Sequence, residues 1–131
     1  MSVRNMLSIS VLALAGCSSD GGDAMPDAAP SDAPVVAVKE VPCPATPAAS
    51  FVTNGFMFSP SAATISVGQI AKLESNSLEH PIGPFMGGDP SMTDPALVVT
   101  AGRSKCFAFM RPGTFKFICS AHFYVGTLTV Q

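Results

Sequence analysis

The sequence predicts an all-β sandwich or barrel for most of its 131 residues. Two observations support this fold class: short apolar or alternating runs recur along the chain, and turn residues separate them without a convincing long helix. The composition agrees, since 47% of residues are hydrophobic, 12% are charged, and 12 prolines and 11 glycines lie between the runs. A chain of this length has room for one small core.

Seven runs are strand candidates, and they are residues 51–58, 64–67, 69–74, 97–100, 106–110, 114–119 and 125–130. Arg111-Pro112-Gly113 predicts a hairpin between the fifth and sixth runs. The two-residue period of a strand then places Phe115, Phe117 and Cys119 on one face. A core-facing cysteine at the end of a strand is well placed for a buried site.

The N-terminal segment reads as a secretory signal. Residues 1–16 carry one positive charge, Arg4, followed by an apolar stretch that is too short to span a bilayer. The stretch ends in Leu14-Ala15-Gly16-Cys17, which resembles the lipobox of bacterial lipoproteins and implies lipidation of Cys17 after cleavage. Acyl chains there would hold the protein at a membrane. The alternative is an ordinary signal peptide with an incidental cysteine.

A tether and a domain follow this signal. Residues 17–42 are rich in Asp, Ala, Pro, Ser and Gly, which predicts a lipidated flexible tether, and residues 43–131 form the expected domain. We therefore expect a protein of the cell envelope, anchored by lipid and facing the periplasm or the exterior. Ser18 after the lipobox cysteine slightly favours the outer membrane.

The chemistry concentrates in Cys119 and His122, which lie three residues apart on a short loop between the last two strands. The chain has 2 histidines, and the other one, His80, lies in a loop after the strand at 69–74. Two imidazoles and one thiolate form the trigonal ligand set typical of blue-copper electron-transfer centres. The sequence therefore predicts that His80, Cys119 and His122 bind one copper ion.

The order of these motifs resembles the cupredoxin family, especially its plastocyanin, amicyanin and pseudoazurin group. The similarity covers roughly residues 49–131, and its pieces are residues 55–60, 65–68, the His80 loop, residues 111–117, and Cys119-x-x-His122 continuing into 126–130. The resemblance implies a Greek-key sandwich of about seven to eight strands. It also implies that His122 is the ligand near the exposed edge.

The axial position departs from the family pattern. Relatives place a methionine on the C-terminal loop, whereas here Val125 stands at the amicyanin-like spacing and has no donor atom. Copper would then be three-coordinate or contact a backbone carbonyl such as that of Glu79, and its reduction potential would be higher than in relatives with methionine. Met86, Met92 and Met110 are alternative donors on other segments, although packing is their expected role.

A second departure is Pro81, where plastocyanin-like proteins often carry an asparagine that braces the cysteine loop. Proline has no N–H to donate, so Cys119 must be braced by other groups. Asn76 and Ser120 are the candidates.

Two cysteines remain, Cys43 and Cys106. In an oxidising envelope they are expected to pair as a disulfide, with Cys106 on the outer face of its strand. Two free thiols or an intermolecular bridge are the alternatives.

Most aromatic residues are expected in the core; they are Phe51, Phe56, Phe58, Phe107, Phe109, Phe115 and Phe117. Phe85, Phe123 and Tyr124 flank the ligand loops instead. They form either an apolar docking patch around His122 or a shield that keeps water from the copper.

The predicted function is single-electron transfer between redox partner proteins of the envelope by a monomer. Neither an enzyme activity on a small-molecule substrate nor nucleic-acid binding is expected, because the chain has no clustered basic face and no second metal cluster. The alternative is an envelope protein that binds or delivers copper without carrying electrons. A structural module without a working site ranks last, since all three ligand positions are intact.

Overall fold

Two β-sheets carry nearly all regular structure of the computed structural model, which describes residues 36–131. The strands are β1 (Val38–Val41), β2 (Ala49–Asn54), β3 (Met57–Ser59), β4 (Ala62–Ile65), β5 (Ile70–Glu74), β6 (Ile82–Pro84), β7 (Ser104–Phe109), β8 (Gly113–Cys119) and β9 (Val125–Val130). One 3₁₀ helix spans Pro90–Met92. The predicted all-β sandwich is confirmed, with nine strands in the described part of the chain instead of seven to eight.

The larger sheet has the strand order β1-β7-β5-β2-β3, and the smaller one has the order β4-β9-β8-β6. Two neighbouring pairs, β2–β5 and β4–β9, are parallel, while the other paired strands run antiparallel. Within residues 36–131, no helix is long and apolar enough to cross a membrane.

The core forms where alternate residues of the two sheets meet. Along β8, Phe115, Phe117 and Cys119 are buried and their neighbours are only partly so, which is the predicted two-residue period. The Phe117 ring packs edge-to-face on Phe51 and on Phe58, with ring centroids 4.9 Å apart in both pairs. This packing fixes the strand that ends at Cys119.

The domain begins earlier than predicted. The boundary expected at residue 42 is wrong, because β1 is the edge strand of the larger sheet and pairs Val38 with Phe109 and Val41 with Cys106. Val38 is 1% exposed, so part of the segment assigned to the tether lies in the core. The predicted signal at 1–16, the lipidated Cys17 and the tether up to residue 35 lie outside the described residues.

The predicted pairing of Cys43 with Cys106 is confirmed as an intramolecular disulfide, with the two Cα atoms 5.1 Å apart. Phe107 and Phe109 face the core as expected, which leaves Cys106 on the other side of β7. Cys106 is nevertheless only 1% exposed. The disulfide joins β7 to the segment that follows β1.

The predicted strand at 51–58 is two strands. A tight hairpin places Asn54 opposite Met57, so that Gly55 and Phe56 form the turn, and Gly55 has φ +61°. Phe56 is 76% exposed, and its assignment to the core is wrong. Glycine with positive φ at the first position of a two-residue loop is typical of a type II′ hairpin turn.

The predicted strand at 97–100 is also wrong. Only Val99 pairs there, through an isolated bridge to Ile82. The strand that Ile82 belongs to, β6, pairs with β8, and it was hidden because Pro81 precedes it and Pro84 is its last residue.

Candidate metal centre

Three side chains predicted as ligands meet at one end of the sandwich. His80 precedes β6, Cys119 ends β8, and His122 lies in the loop between β8 and β9. One potential ligand atom from each residue lies within 4.8 Å of the others. The two histidines and the thiol therefore share one site, although 39 residues separate His80 from Cys119 in sequence.

Both imidazoles approach the same sulfur. The Sγ atom of Cys119 lies 3.6 Å from Nδ1 of His80 and 3.7 Å from Nδ1 of His122. A thiol has one hydrogen and can donate it to only one of these nitrogens. Two nitrogens at nearly equal distances from one sulfur are instead the arrangement expected of ligands around a shared ion.

The two sulfur–nitrogen distances agree with a metal bound between these atoms. With metal–nitrogen bonds of about 2.0 Å and a metal–sulfur bond of about 2.3 Å, a trigonal arrangement separates sulfur from nitrogen by about 3.7 Å. A set of one soft thiolate and two imidazoles suits copper. The residues present therefore fit a mononuclear copper site.

Hydrogen bonds of the backbone hold the cysteine loop closed. The Phe123 N–H donates to the Cys119 carbonyl at 2.8 Å, and the Cys119 N–H donates to the Tyr124 carbonyl at 3.0 Å. Phe123 has φ +62°, a left-handed conformation that is unusual for a bulky residue. This turn brings His122 back over Cys119.

A further backbone bond ties this loop to the His80 loop. The Ser120 N–H donates to the Pro81 carbonyl at 2.8 Å, a backbone bond that does not depend on the serine side chain. Asn76 does not fill the predicted role, because it is bonded to Thr53: its side chain accepts from the Thr53 hydroxyl, and its N–H donates back to that oxygen.

The three ligand candidates differ in exposure. Cys119 is fully buried, His80 is 9% exposed, and His122 is exposed. Phe56, the hairpin-tip residue, packs its ring edge-to-face on His122 with centroids 5.2 Å apart. His122 therefore forms the solvent edge of the site, and His80 forms its interior side. Cys119 is the one free cysteine among the residues that the structure describes.

Val125 begins β9, and the alternation of that strand places it away from the core. Gly126, Leu128 and Val130 are buried, while Val125 is half-buried. Tyr124 lies two residues before Gly126, so the two-residue period places Tyr124, and not Val125, on the core-facing side. Met110 is distant, because it precedes β8 and Cys119 ends that seven-residue strand, a length of about 20 Å.

Tyr124, for which the sequence analysis left both a docking patch and a shield open, is packed against the core beside the site. Its ring packs on Phe58 with centroids 4.9 Å apart and lies 6.0 Å from the ring of His80. Burial raises the pKa of its phenol, and the adjacent Cys119 raises that pKa further. The phenol is therefore protonated at neutral pH. The alternation of β9 was the signal that could have found it.

Beside the site lies an apolar cleft of about 360 Å³, lined by Pro84, Phe85, Met86, Gly87, Ile118, Ser120 and Phe123. Met86 is 89% exposed and Phe123 is 74% exposed. Phe123 presents an apolar surface beside His122, while Tyr124 packs against the core beside His80.

Comparison with solved structures identifies similar folds. Amicyanin from Paracoccus versutus is 16% identical with a TM-score of 0.56, over 72% of this chain and 98% of its own. A copper-containing nitrite reductase from Thermus scotoductus SA-01 is 19% identical with a TM-score of 0.52, over 71% of this chain. The match spans 25% of the reductase chain. No protein-family model and no curated protein matches the chain. At these identities the likeness concerns the fold, and the described domain has the cupredoxin fold.

Proposed function

We propose that this domain binds one copper ion through His80, Cys119 and His122 and carries single electrons between partner proteins. The observation that carries the proposal is the approach of both Nδ1 atoms to one buried sulfur at 3.6 and 3.7 Å. Bound copper would supply the one-electron redox couple. The protein supplies the ligands and the rigid frame that holds them.

Each ligand has a separate part in this role. Cys119 is fully buried, so its thiolate is kept from solvent and from other thiols. His80 anchors the site from the interior, held between the turn after β5 and strand β6. His122 is exposed and offers the shortest route from the site to the surface.

The apolar cleft beside His122 supports transfer to a protein partner. Exposed apolar residues such as Met86 and Phe123 are suited to brief docking, because they bury surface without fixed polar pairing. Redox proteins that meet transiently use small interfaces of this kind. The proposed partners are envelope proteins, and the proposed anchor is a lipid on Cys17. The domain is proposed to act as a monomer without turning over a substrate.

The test is the visible absorption and EPR spectrum of the purified protein loaded with Cu(II). A thiolate–copper charge-transfer band is expected in the protein, and Cys119→Ser should abolish it because a serine oxygen cannot replace the thiolate. Ser120→Ala is the matched control, since it alters the adjacent residue and retains all three ligands. A protein that is colourless with Cu(II) and binds only Cu(I) would contradict electron transfer and favour copper delivery.

A further inference from the structure

The hydroxyl of Tyr124 is an unusual buried group. Its oxygen is inaccessible to solvent and has no hydrogen-bond partner within residues 36–131. Burying an unpaired hydroxyl costs about 1–3 kcal/mol. A phenylalanine at this position would keep the ring packing and avoid that cost, so the hydroxyl needs an explanation.

Packing limits what this hydroxyl can reach. The ring is held between Phe58 and the neighbourhood of His80, with centroid distances of 4.9 and 6.0 Å. Cys119 is adjacent to Tyr124, since its N–H donates to the Tyr124 carbonyl at 3.0 Å, and Cys119 and Thr53 are the two side chains that shift the pKa of the phenol. The Thr53 hydroxyl already donates to the Asn76 side chain at 2.8 Å and accepts from its N–H at 3.0 Å. The Thr53 oxygen keeps one further lone pair, but a copper-bound thiolate at Cys119 would be the stronger acceptor of the two.

We propose that Tyr124 donates a hydrogen bond to the Cys119 sulfur when this sulfur is a copper-bound thiolate. The inference rests on the proposed function, because a charged thiolate is a much better acceptor than a neutral thiol. Tyr124 is a positioning residue in this proposal and does not bind the metal. Its effect would add to the absence of a donor atom at Val125, because both favour Cu(I).

The expected consequence is a preference for the reduced state. A donor directed at the sulfur stabilises negative charge there, and the site carries one more negative charge when copper is Cu(I). Hydrogen bonding around the cysteine sulfur is one of the factors that set the potential of such centres. Loss of the hydroxyl should thus weaken the preference for Cu(I) over Cu(II) by about tenfold, a fall of about 59 mV in reduction potential.

The first measurement compares the reduction potentials of the copper-loaded protein and Tyr124→Phe. The second uses the fact that the chain has 1 tyrosine and 0 tryptophans. The ultraviolet resonance Raman spectrum of its tyrosine therefore reports on Tyr124 alone, and the ring doublet distinguishes a donating hydroxyl from an accepting one. This spectrum is recorded for the Cu(I)-loaded protein and for metal-free Cys119→Ala, which keeps Thr53.

We expect a lower potential in Tyr124→Phe, with the thiolate–copper band retained. A donor signature should be present in the Cu(I)-loaded protein and absent in Cys119→Ala. The unfolding free energy of metal-free Tyr124→Phe should not fall, since the unpaired hydroxyl is gone. This combination separates tuning from a structural role, which would lower the stability and leave the potential unchanged.

Three results would overturn the inference. An unchanged potential with the band intact would reject it and leave the proposed function standing. A donor signature that persists in Cys119→Ala would identify Thr53 as the acceptor. A phenolate–copper band in the parent protein would make Tyr124 a ligand. Absence of any thiolate–copper band in the parent protein would instead reject the proposed function, and the inference with it. The Raman measurement on the parent sequence holds even if Tyr124→Phe folds poorly.

Discussion

Substitution of Gly126 tests whether the core beneath the site is as tightly packed as the structure indicates. A Cβ atom added at Gly126 would lie 2.2, 2.5 and 3.0 Å from three atoms of the Phe117 ring. Carbon atoms pack best at about 3.5–4.0 Å, so the ring would have to retreat by about 1.3 Å. It has no free direction, because Phe51 and Phe58 both pack against it with centroids at 4.9 Å.

We expect Gly126→Ala to destabilise the domain by about 2 kcal/mol. Overpacking of a core by one methyl group costs about 1–3 kcal/mol, and this case belongs near the upper limit. The smaller conformational freedom of unfolded alanine offsets about 0.5–1 kcal/mol. The assay is urea unfolding of the metal-free protein followed by far-ultraviolet circular dichroism, where this loss corresponds to a midpoint shift of about 1 M.

The matched control is Gly83→Ala on the neighbouring strand pair. There the nearest atom to an added Cβ is the Ser120 Oγ at 2.8 Å, which belongs to an exposed side chain that can rotate away. Its expected cost is below about 1 kcal/mol. Phe117→Leu in the Gly126→Ala background should recover part of the loss, with a coupling of about 1 kcal/mol. A neutral or stabilising Gly126→Ala would show that the core yields easily, and the packing argument would then be wrong.

Three further predictions concern the disulfide and the ligand loop. Replacing both Cys43 and Cys106 with alanine should lower the unfolding free energy by about 4 kcal/mol, because the bridge closes a loop of 63 residues. Urea titrations would contradict this expectation if the loss were below about 1 kcal/mol. Phe123→Gly should change stability by less than about 1 kcal/mol, whereas Phe123→Val should cost about 1–2 kcal/mol at its φ of +62°; equal midpoints for the two variants would refute the strain argument. His122→Gly should lose the thiolate–copper band and regain it when free imidazole is added, because this ligand position is exposed. His80→Gly should not regain the band, because His80 is buried. Equal recovery of the band in both variants would contradict this distinction.

The sequence was sufficient for the residues whose position follows from local periodicity. The alternation in 114–119 placed Phe117 and Cys119 on one inner face, and the structure agrees. The grouping of the three ligand candidates also followed from sequence, because the chain has only 2 histidines and their chemistry restricted the choice. Local pattern and ligand chemistry are both encoded over short distances.

The elements that the sequence analysis missed are defined by contacts with residues that are distant in the sequence. β1 lies in the segment that was assigned to the tether, and it becomes a strand because Val38 and Val41 pair with residues of β7, more than sixty residues later. β6 has only three residues, and pairing with β8 defines it. Phe56 was assigned to the core by its type, although the hairpin turn carries it to the surface. The role of Tyr124 was left open between a docking patch and a shield, because the start of the β9 alternation depends on the length of the loop before it.

The position of the disulfide also determines how the domain would respond to mechanical force. A pull on the chain before Val38 acts first on β1, which lies at the edge of its sheet and can be peeled from β7 one residue pair at a time. Peeling stops at Cys43, where the covalent bond to Cys106 transfers the tension to β7 inside the sheet. The three proposed copper ligands lie beyond this junction, with His80 before β6, Cys119 at the end of β8 and His122 in the loop before β9. Tension along the N-terminal segment should therefore leave their geometry unchanged until the sandwich itself unfolds.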